Sequence, residues 1–122
     1  MRILIVDDDA AWVHMLSCYF VGGGHEVLSG RTWAAARSLA DNAVPDVILL
    51  DASLPDGEAG PFCEAIRSDV RYGRTALLLL SGTEPEAGCG ADRFVLKGLP
   101  MVELEAAIAA ARATRGAAGG GK

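Results

Sequence analysis

Short apolar runs alternate along this chain with longer stretches in which apolar residues recur every three or four positions. The apolar runs cover residues 2–6, 25–29, 46–50, 76–80 and 92–96. Residues 3–6 and 77–80 are apolar throughout, without the polar alternation of a half-exposed strand. This pattern indicates strands that are buried on both faces, as in a parallel sheet covered by helices.

The stretches between the runs predict helices, because residues that favour a helix N-terminus stand at their starts. These residues are Asp9, Thr32, Gly60 with Pro61, and Pro100. In the last helix, apolar residues form a stripe at helical spacing: Met101, Leu104, Ile108 and Ala111. Repeated β-α units imply an α/β fold, a doubly wound five-stranded parallel sheet with right-handed crossovers.

The connection between the fourth and fifth predicted strands differs from the others. Residues 81–91 include a proline and three glycines, which disfavour a helix. A crossover usually needs at least ~10–12 residues including its helix. We therefore predict that the fourth helix is short or absent. At the C-terminus, residues 116–122 predict a flexible Gly/Ala-rich tail after a single domain at residues 1–115.

Composition narrows the class of protein. A length of 122 residues and a hydrophobic content of 51% favour one folded domain. The net charge of -5 argues against direct binding of nucleic acid by this domain. Three cysteines without metal-ligand spacing indicate reduced thiols in a cytoplasmic protein. No apolar stretch reaches the ~18–20 residues of a membrane helix, so we expect no membrane partner.

Polar residues follow four of the predicted strands. Asp7 and Asp8 end the first strand, Asp51 the third, Ser81 the fourth and Lys97 the fifth. Ligands of open α/β sheets bind beyond the carboxyl ends of the strands, where these residues converge. Neighbouring carboxylates repel one another, and a hard divalent cation such as Mg²⁺ would relieve that repulsion. The sequence therefore predicts a cation site suited to phosphoryl transfer, with a carboxylate as the nucleophile.

The chain resembles the receiver domains of bacterial two-component response regulators over essentially its whole length. The matching stretches are residues 3–8, residues 47–51 followed by 54–55, residues 80–82 and residues 94–97. Each stretch is short, and their order and spacing carry the resemblance. It implies a flavodoxin-like sheet with strand order 2-1-3-4-5.

The resemblance also implies a phosphoacceptor and a metal site. Asp51 would accept a phosphoryl group from a histidine kinase. Asp8 and Asp51 would bind Mg²⁺, or Mn²⁺ in its place, through their side chains. Ser53 would bind it through its backbone carbonyl, and Asp7 would support it through a water molecule.

Two further roles follow from the resemblance. Ser81 and Lys97 would contact the phosphoryl group, and Ser81 with Phe94 would form the switch that responds to it. Phe94 could equally be a plain core aromatic. Gly98 departs from the family, which usually has a proline after the lysine, joined to it by a cis peptide bond.

The resemblance predicts protein partners. They are a histidine kinase or phosphotransfer protein upstream, a protein partner downstream, and a second copy of the chain on the face of the fourth strand, fifth strand and last helix. The domain would be a phosphoacceptor that catalyses its own phosphorylation and dephosphorylation, rather than an enzyme for a separate substrate.

Two alternatives remain open at the level of sequence. A degenerate receiver would keep the fold and bind partners without phosphorylation, which the short connection and Gly98 favour. A phosphatase of the haloacid-dehalogenase kind would use Asp7 as the nucleophile, because residues 7–9 resemble its DxD motif. The position of Asp51 and the lack of an acidic pair after Lys97 oppose the phosphatase.

Overall fold

A computed structural model of the chain describes residues 1–82, 90–98 and 100–120. The main strands and helices follow the predicted order, with a short pair of strands added after the third. In chain order they are β1 (Arg2–Val6), α1 (Ala10–Gly22), β2 (Glu26–Gly30), α2 (Trp33–Asn42), β3 (Val47–Asp51), β4 (Ser53–Leu54), β5 (Gly57–Glu58), α3 (Ala59–Ser68), β6 (Ala76–Ser81), β7 (Arg93–Leu96) and α4 (Met101–Gly120).

The main sheet has five parallel strands in the order β2-β1-β3-β6-β7. Counting only these strands, the order is 2-1-3-4-5, which confirms the predicted flavodoxin-like sheet. β4 and β5 lie outside it and pair with each other as a short antiparallel hairpin. This hairpin was not predicted, and it lies directly after β3.

Two hydrophobic clusters cover the two faces of the sheet. Neighbouring residues of each central strand enter opposite clusters, since side chains alternate along a strand. Leu4 and Ile48 join one cluster with α2 and α3, while Ile3 and Leu49 join the other with α1 and α4. Burial on both faces explains why these strands are apolar throughout.

The predicted helix starts are correct at three of four places. Asp9 accepts hydrogen bonds from the backbone of Ala11 and Trp12, and Thr32 accepts one from Ala35. The last helix begins directly after Pro100. α3 instead begins at Ala59, before Gly60, and the Ala59 backbone donates to the Ala52 carbonyl.

Two predictions concern the connection at residues 81–91 and the C-terminus. The short or absent fourth helix falls mainly on residues 83–89, which lie outside the described residues. α4 continues to Gly120, so the backbone is helical over most of the segment for which the sequence predicts a tail. The division at residue 115 stays a prediction. Over the described ranges, no helix is both long and apolar enough to cross a membrane.

Candidate functional site

The polar residues at the strand ends meet at one edge of the sheet. Val6 pairs with Leu50, so Asp7 follows β1 beside the end of β3, where Asp51 lies. On the neighbouring strands, the Ser81 carbonyl accepts a hydrogen bond of 2.8 Å from the Lys97 backbone. The parallel register thus brings residues from distant parts of the sequence to the same edge, as predicted.

Three carboxylates form the centre of this site, which we call the acid cluster: Asp7, Asp8 and Asp51. One oxygen from each lies within 4.8 Å of the others. Asp7 is buried, Asp51 is partly buried and Asp8 is exposed, so the cluster opens to solvent through Asp8. Hard divalent cations prefer oxygen ligands of this kind, and the donor set therefore fits Mg²⁺.

Lys97 provides a positive charge at the cluster. Its Nζ lies 2.7 Å from Asp7 Oδ2 and 3.7 Å from Asp51 Oδ1. Burial alone would lower the pKa of Lys97. The hydrogen bond and charge of Asp7, with the charge of Asp51, outweigh it and raise the pKa of Lys97. The lysine therefore stays protonated at neutral pH.

The electrostatic balance at Asp51 is unfavourable to its ionised form. Burial raises the pKa of Asp51, and the negative charge of Asp7 raises it further. Lys97 and a hydrogen bond of 2.8 Å from the Ala52 backbone oppose this rise without cancelling it. A cation beside Asp51 would lower that pKa again, which is a second indication that the cluster suits a metal ion.

Asp7 is already engaged on both of its carboxylate oxygens. Oδ1 accepts a hydrogen bond of 2.9 Å from the Asp9 backbone, and Oδ2 pairs with Lys97. Its side chain is only 3% exposed. A buried carboxylate with two fixed partners is better placed to support its neighbours than to attack a substrate.

The positions of three other predicted site residues agree with their proposed roles but do not by themselves establish them. Ser81 ends β6 beside the cluster, and Ser53 begins the β4–β5 hairpin two residues after Asp51. Phe94 lies on β7 and is 36% exposed. Leu96, its neighbour on the same face of the strand, is 42% exposed. Phe94 is therefore not a fully buried core aromatic, and its switch role stays a prediction. Gly98 has φ of 95°, and no cis peptide occurs among the described residues.

Both tryptophans touch the surroundings of the site, which the sequence did not reveal. The ring of Trp12 lies 5.6 Å from Lys97 Nζ, within range of a cation–π interaction. Trp33 donates its indole N–H to the Gly57 carbonyl of the hairpin. A tryptophan within the first turn of each helix, next to a strand end, was the available signal.

Comparison with known proteins finds clear relatives, although no family model matches the chain. The DNA-binding dual master transcriptional regulator RpaA of Synechocystis is 30% identical over 115 residues, covering 89% of this chain and 48% of RpaA. The chain thus spans about half the length of this relative. The MtrA response regulator of Mycobacterium tuberculosis is 30% identical over a similar span, at 89% of this chain and 49% of MtrA.

Solved structures agree with the sequence comparison. The chemotaxis response regulator CheY4 of Vibrio cholerae is 26% identical with a TM-score of 0.79, covering 88% of this chain and 97% of CheY4. The response regulator TrrA of Thermotoga maritima, solved in complex with Mg²⁺-BeF, shares the fold at 21% identity and a TM-score of 0.79, covering 89% of this chain and 96% of TrrA. The strand order, the relatives and the match along nearly the whole chain lead to one assignment: this chain belongs to the receiver domains of two-component response regulators.

Proposed function

We propose that this receiver domain accepts a phosphoryl group on Asp51 in a reaction that depends on Mg²⁺. The observation that carries the proposal is the convergence of the acid cluster with Lys97, whose Nζ lies 2.7 Å from Asp7 and 3.7 Å from Asp51. Phosphoryl transfer depends mainly on positioning and on neutralising charge, and this arrangement offers both.

Asp51 is the nucleophile in this proposal. It lies at the end of a buried strand and is itself partly exposed. The Ala52 backbone donates to Oδ1, which leaves Oδ2 as the oxygen that attacks. This carboxylate would attack the phosphorus of a phosphohistidine and form an acyl phosphate. The phosphorus–nitrogen bond breaks, and the departing imidazole takes the electron pair and then a proton.

Lys97 and Ser81 would bind the phosphoryl oxygens. Lys97 is protonated and within 4 Å of Asp51, so a small movement of its flexible side chain would bring Nζ to the new phosphoryl group. Ser81 ends the strand next to Asp51 and offers a hydroxyl at the same edge. Donors that already lie close to the reacting group lower the barrier, because little reorganisation is then needed.

Asp8, Asp51 and the Ser53 carbonyl would hold the metal ion, with Asp7 supporting it through a water molecule. The bound ion would supply positive charge to the transferring oxygens. TrrA, a structural neighbour, was solved with Mg²⁺ and BeF, which supports the choice of metal. Mn²⁺ has the same preference for oxygen ligands and is a convenient substitute.

The position of Asp7 argues against the phosphatase alternative. That mechanism needs Asp7 as the nucleophile, whereas both of its oxygens already have partners within 3 Å. The degenerate-receiver alternative finds no support at the acid cluster, because all the predicted carboxylates and the lysine are present together.

The partners proposed for the domain are a histidine kinase or phosphotransfer protein and a downstream protein. A homodimer through β6, β7 and α4 is also proposed, with Phe94, Leu96 and Val102 as exposed apolar residues of that region. The expectation that nucleic acid is not a partner is not supported, because RpaA is a DNA-binding regulator and the chain matches about half of it.

Labelling with a small phosphodonor tests the proposal. The protein is incubated with acetyl phosphate, with and without Mg²⁺, and the phosphoryl group is located by mass spectrometry. We expect a label on Asp51 that requires Mg²⁺ and is lost in Asp51→Asn. Asp69→Asn removes a carboxylate at a distant site and serves as the matched control, which keeps the label.

Each alternative outcome has a distinct meaning. A label on Asp7 with rapid turnover would support the phosphatase. No label at any donor concentration would support a domain that binds partners without phosphorylation.

A further inference from the structure

The β4–β5 hairpin is the first structure that follows Asp51. Its two strands have two residues each, with Ser53 opposite Glu58 and Leu54 opposite Gly57. A two-stranded hairpin is marginally stable by itself, and one this short needs support from other parts of the protein. Its position is important because Ser53 is the proposed backbone ligand of the metal ion.

Trp33, the first residue of α2, forms two hydrogen bonds to this hairpin. Its backbone N–H donates to Asp56 Oδ2 at 3.0 Å, and its indole Nε1–H donates to the Gly57 carbonyl at 2.9 Å. A carboxylate at a helix N-terminus is also favoured by the helix dipole. Both bonds join residues that are more than 20 positions apart in the sequence.

The indole ring is held from one side by Phe62 of α3. The two ring centroids are 5.2 Å apart, and the planes are inclined by 31°. Together with Phe62, the ring also lines an open groove of about 400 Å³ between α2, α3 and the hairpin. Packing therefore covers only part of the ring, and the hydrogen bond to Gly57 fixes the ring against the hairpin.

The base of the hairpin is connected to Asp51 through the backbone. Ala59, which directly follows the hairpin, donates to the Ala52 carbonyl at 3.0 Å. Ala52 in turn donates to Asp51 Oδ1 at 2.8 Å. Leu54 is buried in the core beneath the hairpin. A displacement of the hairpin would therefore be transmitted to the backbone beside the acid cluster.

We propose that Trp33 is a positioning residue for the acid cluster, which it serves by holding the β4–β5 hairpin against α2. The inference rests on the proposed function, since the hairpin matters through the Ser53 carbonyl and the backbone beside Asp51. Trp33 itself does not touch the reacting atoms.

Amide hydrogen exchange without metal tests the mechanical part of the inference. Trp33→Phe keeps an aromatic ring against Phe62 and loses the indole donor, whereas Trp33→Ala loses both. We expect exchange over residues 52–59 to become about two- to tenfold faster in Trp33→Phe, the effect of one lost hydrogen bond. The increase is larger in Trp33→Ala. Tyr19→Phe, which removes a surface hydrogen bond to Glu105, is the matched control with unchanged exchange there.

Binding of Mn²⁺, followed by electron paramagnetic resonance, tests the connection to the acid cluster. We expect the half-saturating Mn²⁺ concentration to rise about two- to tenfold in Trp33→Phe and to stay constant in Tyr19→Phe. Unchanged hairpin exchange would overturn the inference. So would a uniform increase that includes β3 and β6, because it would indicate general destabilisation. Faster hairpin exchange with unchanged Mn²⁺ binding would also overturn the positioning role.

These results are separate from those for the proposed function. If wild-type protein accepts no phosphoryl group on Asp51, the proposed function fails, while exchange and Mn²⁺ binding still decide the role of Trp33.

Discussion

Two groups of acidic residues in this domain are in opposite electrostatic states. The acid cluster at the carboxyl edge of the sheet places three carboxylates beside Lys97. The second group, which we call the arginine-paired cluster, lies where α2 ends and the turn before β6 begins. Its members are Arg37, Asp41, Asp69, Arg71 and Tyr72. The first group has more negative than positive charges, whereas the second has two of each.

The pKa values reflect this difference. In the arginine-paired cluster, hydrogen bonds from Arg71 lower the pKa of Asp69 to about 2. In the acid cluster, burial and Asp7 raise the pKa of Asp51. A carboxylate with a lowered pKa stabilises the fold in its charged form, and one with a raised pKa opposes it. The comparison suggests that the arginine-paired cluster holds elements together, while the acid cluster is arranged to receive a cation.

The largest expected effect on stability comes from removing the Tyr72 hydroxyl. Tyr72 is fully buried and donates to Asp41, and a hydrogen bond to a charged group contributes about 1.5–3 kcal/mol. We expect Tyr72→Phe to lower the free energy of unfolding by about 2 kcal/mol in urea denaturation.

The same residue has a pH signature. Burial, with the bond to Asp41, raises the pKa of Tyr72 to about 12 from its ordinary value near 10. The stabilisation is complete below pH 10 and is lost as pH rises toward 12, so Tyr72→Phe should show a weaker alkaline decline. Tyr19→Phe, an exposed matched control, should leave the unfolding midpoint at neutral pH nearly unchanged.

The next effect concerns the exposed member of the acid cluster. Asp8→Asn replaces a charged ligand by a neutral one, and we expect Mn²⁺ affinity to fall about tenfold or more, equivalent to about 1.4 kcal/mol. Asp69→Asn also removes one carboxylate but should leave Mn²⁺ affinity unchanged. Equal losses in the two variants would mean that net charge, rather than a defined site, attracts the ion.

A smaller effect on stability should have opposite signs in the two clusters: removing the charge of Asp51 should stabilise the protein, whereas removing that of Asp69 should destabilise it. Without metal, Asp51→Asn should raise the melting temperature by a few degrees, the shift produced by about 1 kcal/mol in a domain of this size. The reason is that the ionised Asp51 opposes folding once pH rises through its raised pKa. Added Mg²⁺ should stabilise the wild type and not the variant. A lower melting temperature for Asp51→Asn would contradict the electrostatic account.

The smallest effect is expected at Asp69, whose partner Arg71 is largely exposed. Because the pKa of Asp69 is lowered to about 2, its contribution is present above pH 4 and is lost as pH falls toward 2. Asp69→Asn should therefore be slightly less stable than wild type at pH 6, and the difference should shrink as pH falls through 2. Thermal denaturation across this range measures the difference, and a constant offset at all pH values would contradict it.

The sequence was sufficient for the elements and for the site at the sheet edge. Hydrophobic runs and helix-capping residues act locally, so β1 is predicted without error and most other boundaries within one or two residues. Asp7, Asp51 and Lys97 were found because parallel strands must place their carboxyl ends together.

Contacts between side chains of distant elements were missed. Nothing in the spacing of Trp33 indicates its hydrogen bond to Gly57, 24 positions away. The hydrogen bond between Tyr72 and Asp41, which are 31 positions apart, leaves no signal in the sequence either. Such contacts depend on helix orientation and on side-chain rotamers, which periodicity does not encode. The β4–β5 hairpin was missed as well, because strands of two residues leave too short a pattern to detect.

The position of Trp12 over Lys97 gives the domain an optical property. Indole emission responds to a charge near the ring, and the ammonium group of Lys97 lies only 5.6 Å from the centre of the Trp12 ring. Under the proposed function, Lys97 would turn from the carboxylates toward a phosphoryl group on Asp51, and the emission of Trp12 should then change. The sequence contains two tryptophans, and the part of the change that Trp12→Phe abolishes belongs to the indole beside Lys97. Trp12 would thus report phosphorylation of Asp51 in real time and without a label.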